Sequence, residues 1–181
     1  MSREWPVGAT RSLARAVHHR KMHARYVDGI TIRSLRDGDT ATVASLFERL
    51  GPQSRERRYC GAKPRLPEPE LAALARVDAE RHVLVAYVGP DPLPAGIGRL
   101  VRTGEGAEVA FEVADAYQGR GIGSVLAREL AADARAAGIT ELVATVCGDN
   151  PRVVSLLRRM ADSLEVTWQG GEREFVVELG R

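Results

Sequence analysis

Residues 108–124 read E-V-A-F-E-V-A-D-A-Y-Q-G-R-G-I-G-S and carry the strongest structural signal of the chain. The stretch begins as an apolar strand, ends as a glycine-rich turn and leads into an amphipathic helix over residues 124–137. The first N–H groups of a helix lack internal partners, and the helix dipole adds partial positive charge there. Glycine at 119, 121 and 123 removes the Cβ atoms that would keep a phosphate away from that backbone. The turn is therefore predicted to bind a pyrophosphate.

The elements around this stretch alternate in a way that predicts an α/β (α+β) fold. Period-two and helical patterns predict strands and helices in this order: strand 29–35, a helix from Asp37 or Asp39 to about Leu50, a polar loop or short helical turns over 53–67, helix 68–77, strands 82–88, 95–102 and 108–114, helix 124–137, strand 141–147, a helix capped by Asn150, and strands 164–168 and 174–179. Three sequential strands with tight turns indicate antiparallel pairing, and the crossover helix indicates one parallel step. We expect a mixed, mostly antiparallel sheet with helices on both faces.

Composition indicates one globular domain, over residues 29–181. The chain has 181 residues, 44% of them hydrophobic and 28% charged, and its longest apolar runs, such as 83–88, are far shorter than a membrane span. Its N-terminus has no apolar stretch of the signal-peptide type, so we expect a cytoplasmic protein without a membrane partner.

Residues 1–28 form a basic leader with six Arg or Lys against two acidic residues. We expect it to be partly disordered or a short docked helix. A basic arm for nucleic acid or an acidic partner is the alternative. No nucleic-acid fold signature accompanies the charge, so a nucleic-acid partner is not expected.

Cys60 and Cys147 are the two cysteines of the chain. Because they lie far apart in sequence, we expect reduced thiols that serve as small buried apolar residues. A zinc site would need further ligands nearby, so no metal is predicted.

The turn Q-G-R-G-I-G at 118–123 is neither a P-loop nor a dinucleotide fingerprint. Its position after a strand and at a helix start, within this element order, resembles the GNAT superfamily of acetyl-CoA-dependent N-acetyltransferases. The signature of that superfamily is Gln/Arg-x-x-Gly-x-Gly/Ala. The resemblance covers about residues 30–179 and implies the GNAT fold with acetyl-CoA as cosubstrate.

The resemblance also implies where the cosubstrate binds. The strand before the turn should splay from its neighbour, so that 111–113 pairs with the pantetheine arm while 119–124 holds the pyrophosphate. Asn150 would contact the cosubstrate or serve as a plain helix cap, and both can hold. The implied binding residues are Phe111, Glu112, Val113, Gln118, Gly119, Arg120, Gly121, Ile122, Gly123, Ser124 and Asn150.

A second segment, L-G-P-Q-S-R-E-R-R-Y at 50–59, makes the chain most similar to the bacterial protein lysine acetyltransferases. Their acceptor loop has a Ser-Arg-x-x-Arg-aromatic pattern, matched here by Ser54, Arg55, Arg58 and Tyr59. Cys60 replaces a second aromatic residue. The resemblance implies a protein lysine as acceptor.

Acetyl transfer to an amine needs a base, because a lysine amine has a pKa near ~10.4 and is mostly charged at neutral pH. Glu108 and Glu112 alternate onto one face of their strand, and the resemblance points to Glu108 as the base, ahead of Glu112. The Val113 N–H is the candidate donor to the thioester carbonyl. Many GNAT members have a tyrosine general acid where this chain has Leu157, so either no acid is used or another group, such as Tyr117, substitutes.

Other functions stay open at this point. The acceptor could be a small amine, an antibiotic or an aminoacyl-tRNA. Leu157 and the basic leader are also compatible with a non-catalytic acyl-CoA sensor. The oligomeric state does not follow from the sequence.

Overall fold

The computed structural model describes residues 24–27, 29–169 and 172–180. Within them one eight-stranded sheet is flanked by five helices. The elements are β1 Arg25–Val27, β2 Ile30–Ser34, α1 Thr40–Glu48, α2 Pro52–Tyr59, α3 Glu68–Leu74, β3 Arg81–Val88, β4 Gly96–Thr103, β5 Gly106–Val113, a 3-10 turn Asp115–Tyr117, α4 Ile122–Ala136, β6 Glu141–Val146, α5 Pro151–Met160, β7 Ser163–Gln169 and β8 Glu172–Glu178.

The strands lie in the order β1-β2-β3-β4-β5-β6-β8-β7. All neighbours pair antiparallel except β5 and β6, which are parallel because α4 crosses over between them. The predicted mixed, mostly antiparallel sheet is confirmed.

Helices cover both faces of the sheet, as predicted. On one face α4 and α5 pack on a large apolar cluster that includes Leu100, Leu126, Leu130 and Leu142. On the other face, α1 and α3 cover a smaller cluster that includes Val43 and Leu46. Side chains that alternate along a strand are therefore sorted between two different environments.

A buried charged cluster ties the edge of the sheet to α4. Asp133 is fully buried and accepts hydrogen bonds from Arg25 at 2.9 Å, while His82 lies 3.0 Å away. Burial alone would raise the pKa of Asp133, but the hydrogen bonds and charges of His82 and Arg25 outweigh it and lower that pKa. The cluster lies on the side of the sheet away from the polar segment of residues 53–67.

The structure distinguishes between the two alternatives predicted for residues 53–67. The segment from Pro52 to Tyr59 is a regular helix of eight residues, and no helix or strand follows it before Glu68. Proline is well suited to a first helical position, and no residue of this helix is buried. The helix therefore has no apolar stripe that a periodicity argument could detect, and polar contacts with the rest of the domain hold it instead.

Two further differences concern the ends of elements. Part of the predicted leader, residues 25–27, forms the edge strand β1, and residues 1–23 lie outside the described part of the chain. Helix α4 begins at Ile122, about two residues earlier than predicted. None of the helices in the described residues is long and apolar enough to cross a membrane.

The expectation for the cysteines was wrong. Cys60 and Cys147 form a disulfide with a Cα–Cα distance of 5.3 Å. Cys60 is exposed and Cys147 is half-buried, so neither fills the apolar core. The two cysteines are 87 residues apart in sequence, so their pairing could not be predicted from local patterns and depends on the folded sheet.

Candidate active site

A cleft opens between β5 and β6. In the described residues the two strands pair only at Ala107 with Leu142 and at Glu108 with Val143. Beyond Glu108 they separate, although β5 stays paired with β4 up to Val113. One edge of β5 therefore presents unpaired backbone groups to the cleft.

The direction of the backbone groups on β5 follows from one hydrogen bond. The N–H of Ala114 donates to Ala95 on the β4 side at 2.9 Å. Because N–H groups alternate between the two edges of a strand, those of Val113 and Phe111 point into the cleft. An extended chain placed there would find donors and acceptors at the spacing of an added strand.

The glycine turn lies at one end of this cleft. Gly119 and Gly121 have φ of 75° and 83°, a region that residues with a Cβ rarely adopt. Gly121 is the N-cap residue of α4, and among the described residues no side chain accepts a hydrogen bond from the first turn of that helix. The N–H groups of this 15-residue helix are therefore available to an anion.

Gln118 supports the turn from within the protein. Its Nε2 donates to Ser54 Oγ at 3.1 Å and to the carbonyl of Val113 at 3.2 Å, and its Oε1 accepts from Arg152 at 2.6 Å. The side chain thus ties α2, the end of β5 and the start of α5 together. Gln118 was predicted to bind the cosubstrate, but its contacts are with other protein groups, so it positions the glycine turn.

Asn150 lies where the sequence predicts it, at the N-cap of α5. Its side chain accepts a hydrogen bond from the N–H of Val153 at 3.3 Å. The plain helix-cap interpretation is confirmed, and it leaves the amide nitrogen of the side chain for other partners.

Glu112 is buried in an ion-pair cluster. Its Oε1 accepts from Arg99 at 2.6 Å and from Arg58 at 3.0 Å, and the Glu112 side chain is only 1% exposed. Burial alone would raise its pKa, but the two guanidinium groups outweigh this and hold the pKa of Glu112 below its usual range. A carboxylate bound in this way is a weak base.

Three buried polar atoms of the cluster have no hydrogen-bond partner among the described residues: Glu112 Oε2, Arg99 Nη2 and Tyr59 Oη. Burial raises the pKa of Tyr59 to about 12, and the charge of Glu112 adds to the effect. Tyr59 therefore stays protonated at neutral pH. Unpaired buried polar atoms are uncommon and mark places where a ligand or ordered water is accommodated.

Glu108 has different surroundings, although it lies on the same face of β5. It is exposed, it is the last residue of β5 paired with β6, and it lines a cavity of about 180 Å³ between α3 and the sheet. The lining residues are Arg58, Ala73, Leu74, Arg76, Arg81, Val83, Arg99, Leu100, Val101, Glu108 and Ala110. The predicted common face of Glu108, Ala110 and Glu112 is confirmed.

Of the four arginines of this cavity, only Arg58 was singled out in the sequence, and the other three were missed. Arg99 lies opposite Ala110 in the β4–β5 ladder, so its position on the strand could have placed it on the same face. Arg76 follows the end of α3 and Arg81 begins β3, and only the fold brings them to the site. Four guanidinium groups and one exposed carboxylate therefore line the cavity.

The position that carries a tyrosine acid in many similar enzymes is a leucine here, and the hydroxyl of Tyr117, the substitute considered, is engaged. Leu157 is fully buried in the core. The hydroxyl of Tyr117 donates to Asp91 at 2.8 Å, and the guanidinium groups of Arg49 and Arg120 lie within 5.2 Å and 5.0 Å of its ring centroid. The hydroxyl is therefore engaged with Asp91, and one of the two cations on the ring, Arg120, comes from the glycine turn at the end of the cleft.

Comparison with known proteins agrees with this geometry. The sequence pattern of the acetyltransferase (GNAT) family matches residues 44–161. Acetyltransferase Pat of Mycolicibacterium smegmatis is 42% identical over 73 residues, which are 39% of this chain and 21% of that protein. The match therefore spans only about a fifth of that relative.

Solved structures share the fold. The GNAT domain of S. lividans PAT superposes with a TM-score of 0.75 at 26% identity, covering 83% of this chain and 90% of that one. A structure from Salmonella typhimurium, solved with its cofactor acetyl-CoA, superposes with a TM-score of 0.63 at 19% identity, covering 85% of this chain and 96% of that one. At that identity the second likeness concerns the fold alone.

Proposed function

Because the chain belongs to the acetyltransferase (GNAT) family, we propose that it transfers the acetyl group of acetyl-CoA to the side-chain amine of a protein lysine. The observation that carries the proposal is the cleft between β5 and β6, which runs from Glu108 toward the uncapped N-terminus of α4. The open edge of β5 thus offers a groove for an extended ligand, and the N-terminus of α4 offers an anion site near the end of that groove.

The residues present fit acetyl-CoA. The N–H groups at the start of α4, together with the turn at 119–124, would bind the pyrophosphate, because the turn has no Cβ at its two left-handed positions. The edge of β5 at 111–113, which is not paired with β6, would pair with the pantetheine arm, and Gln118 already donates to the carbonyl of Val113 there. Gln118 would hold the turn in place, and Asn150 would add a contact from the start of α5 through its free amide nitrogen.

Glu108 is the proposed base. Glu112 is held by two arginines, whereas Glu108 is exposed at the apex of the cleft and lines the cavity. It would accept the proton of the acceptor ammonium through a bridging water, and the neutral amine would then attack the thioester carbonyl. The guanidinium groups of Arg58 and Arg99 assist, because nearby positive charge favours the neutral form of an amine.

The oxyanion that forms needs a donor near Glu108. A strand rises about 3.3 Å per residue, so the Phe111 N–H lies roughly 10 Å along β5 from Glu108, and the Val113 N–H lies roughly 17 Å away. We therefore assign the donor to Phe111 rather than to Val113. When the tetrahedral intermediate collapses, the C–S bond breaks and CoA leaves as a thiolate. A thiol pKa is only about 8.5, so this step needs no general acid, in agreement with Leu157.

The cavity bears on the choice of acceptor. Its four arginines would repel a polyamine or an aminoglycoside, which carry several positive charges. A single lysine amine brings one charge, which it loses before attack. The pattern at 54–59 and the match to acetyltransferase Pat support a protein acceptor, and a small monoamine remains the alternative. A cytoplasmic location is part of the proposal, and fractionation of cells that express the tagged protein tests it.

The test is acetyl transfer from labelled acetyl-CoA to a panel of candidate proteins, polyamines and monoamines, with acetyl-lysine mapped by mass spectrometry. Acetylation of lysine side chains with little label on polyamines is expected. Faster turnover on a small amine than on every protein would contradict the proposed acceptor. Acetyl-CoA binding without turnover on any amine would favour the sensor alternative.

A further inference from the structure

The disulfide between Cys60 and Cys147 joins two elements on opposite sides of the cleft. Cys60 ends α2, and Cys147 follows β6, with 87 residues between them in sequence. Within the described residues, Cys60 is the one non-glycine residue with a positive φ, at 56°. Such a conformation is strained for a side chain with a Cβ and persists where the surroundings hold it. This conformation ends α2 as a left-handed cap, in which the N–H groups of Cys60 and Gly61 donate to the carbonyl of Glu56. The disulfide adds a covalent link between this helix end and the end of β6.

The alternation of β6 explains how the two sulfurs meet. Leu142, Ala144 and Val146 are buried in the cluster with α4 and α5. The next position, Cys147, projects to the opposite face of the sheet, where α2 lies. The disulfide is therefore on the face that carries Glu108 and Glu112, and not on the face where α4 begins.

The register of the strands fixes the height of the disulfide along the cleft. Glu108 pairs with Val143, and Glu112 and Cys147 each come four residues later, so we infer that they lie at similar distances from the apex of the cleft. Arg58, two residues before Cys60, donates to Glu112. The disulfide thus spans the cleft beside the Arg58–Glu112 pair, where the proposed function requires the acceptor amine to approach the thioester.

We propose that Cys60 and Cys147 form a reversible thiol–disulfide site that controls access of the acceptor to the cleft. The inference rests on the proposed function, because the step that the disulfide blocks is the approach of the acceptor amine to the thioester. When the bond is present, α2 and β6 are joined across the approach path of the amine. When it is reduced, the Cys60 end of α2 can move away from β6, while Ser54 near the start of that helix keeps its hydrogen bond with Gln118 and the anion site at the start of α4 is unchanged.

The chemistry is exchange with small thiols. A thiolate attacks the sulfur of Cys60, the more exposed of the two residues, the bond to Cys147 breaks, and Cys147 leaves as a thiolate that takes up a proton. A second small thiol attacks the mixed disulfide and releases Cys60. Two small thiols become one small disulfide, and the protein gains two electrons and two protons. A small-molecule disulfide drives the reverse reaction.

The carboxylate of Glu172 gives a competing interpretation. One of its oxygens lies 3.9 Å from the sulfur of Cys147, and the three side chains could together offer ligands to a metal ion. Thiolates would bind a soft divalent cation such as Zn²⁺. The structure has the sulfurs bonded to each other, which favours thiol exchange, and the metal becomes an outcome of the test.

The test uses the full chain equilibrated in glutathione buffers from reducing to oxidising. Alkylation followed by mass spectrometry reports the state of each cysteine. Acetyl-CoA affinity is measured by calorimetry, and kcat/KM is measured for an acceptor protein. The matched variants are Cys147→Ser and Cys60→Ser, each of which removes the bond from a different side of the cleft.

Oxidation should lower kcat/KM for the acceptor at least ~10-fold while acetyl-CoA affinity changes less than about 3-fold, and reduction should restore the rate. Both serine variants should keep one rate across all buffers. Equal kcat/KM in the reduced and oxidised wild-type protein would contradict control by the disulfide and leave the proposed function intact. Stoichiometric zinc bound by both cysteines in the purified protein would have the same consequence. Absence of turnover in either form would contradict the proposed function itself.

Discussion

The buried pair of Arg99 and Glu112 yields a prediction whose size can be worked out. Their side chains are 6% and 1% exposed, with Nη1 of Arg99 2.6 Å from Oε1 of Glu112. Substituting Arg99→Met removes the shorter of the two contacts that hold the carboxylate, and Arg58 remains. Breaking a buried ion pair on one side costs about 3–5 kcal/mol. Because Arg58 still compensates part of the charge, we expect a loss of about 3 kcal/mol in the free energy of unfolding.

The loss should depend on pH in a defined direction. The pKa of Glu112 is lowered in the folded protein from its usual value of 4.5. A group with a lowered folded pKa contributes stability that is present above the unfolded pKa and disappears as the pH falls through the folded pKa. Arg99→Met removes much of that contribution. The difference between wild type and variant should therefore be largest near pH 7 and shrink below about pH 4.5.

The assay is urea unfolding followed by circular dichroism at pH 7 and pH 4. It compares the wild type with Arg99→Met, Glu112→Leu and the double variant. In the double variant an apolar pair replaces the charged one and should recover part of the loss, because Arg58 is left without its carboxylate. Arg76→Met is the control, because Arg76 is 61% exposed in its pair with Asp78 and should change stability by less than about 0.5 kcal/mol. A loss below about 1 kcal/mol in Arg99→Met, or one equal at both pH values, would refute the reasoning.

Three further predictions test the turn, the cap and the disulfide. Gly121→Ala and Gly138→Ala both place a Cβ at a left-handed position and should each cost about 1–2 kcal/mol, but only Gly121→Ala should also weaken acetyl-CoA binding measured by calorimetry. Asn150→Ala should lower the free energy of unfolding by about 1 kcal/mol in urea, because α5 loses its cap, and no loss would mean that the cap is replaced. Reduction of the Cys60–Cys147 bond opens a loop with a sequence separation of 87. The lost constraint on the unfolded chain should lower the free energy of unfolding by up to about 4.6 kcal/mol. An unchanged urea midpoint after reduction would contradict the presence of the bond in the folded protein.

The strand, turn and helix around residues 108–124 could be predicted because their signals are local. Alternating apolar residues and glycines at a helix start need no information from the rest of the chain. The same periodicity placed Glu108 and Glu112 on one face. It could not tell their environments apart, because the arginines that bury Glu112 come from β4 and α2.

The acceptor side of the site was harder to predict because it depends on contacts between distant segments. Helix α2 has no buried residue and is held by polar contacts such as that of Ser54 with Gln118. The pairing of Cys60 with Cys147 follows from the alternation of β6 and from the position of α2. Both are properties of the assembled sheet rather than of either segment.

The rate of acetyl transfer by Glu108→Gln tests the central claim most directly. It is measured with the best acceptor of the panel, together with acetyl-CoA affinity, and Glu105→Gln, an exposed glutamate in the preceding turn, is the matched control. Loss of a general base predicts a kcat/KM about 10²–10⁴-fold below wild type, with acetyl-CoA affinity unchanged and the control at the wild-type rate. A Glu108→Gln variant that transfers acetyl groups as fast as the wild type would contradict the account.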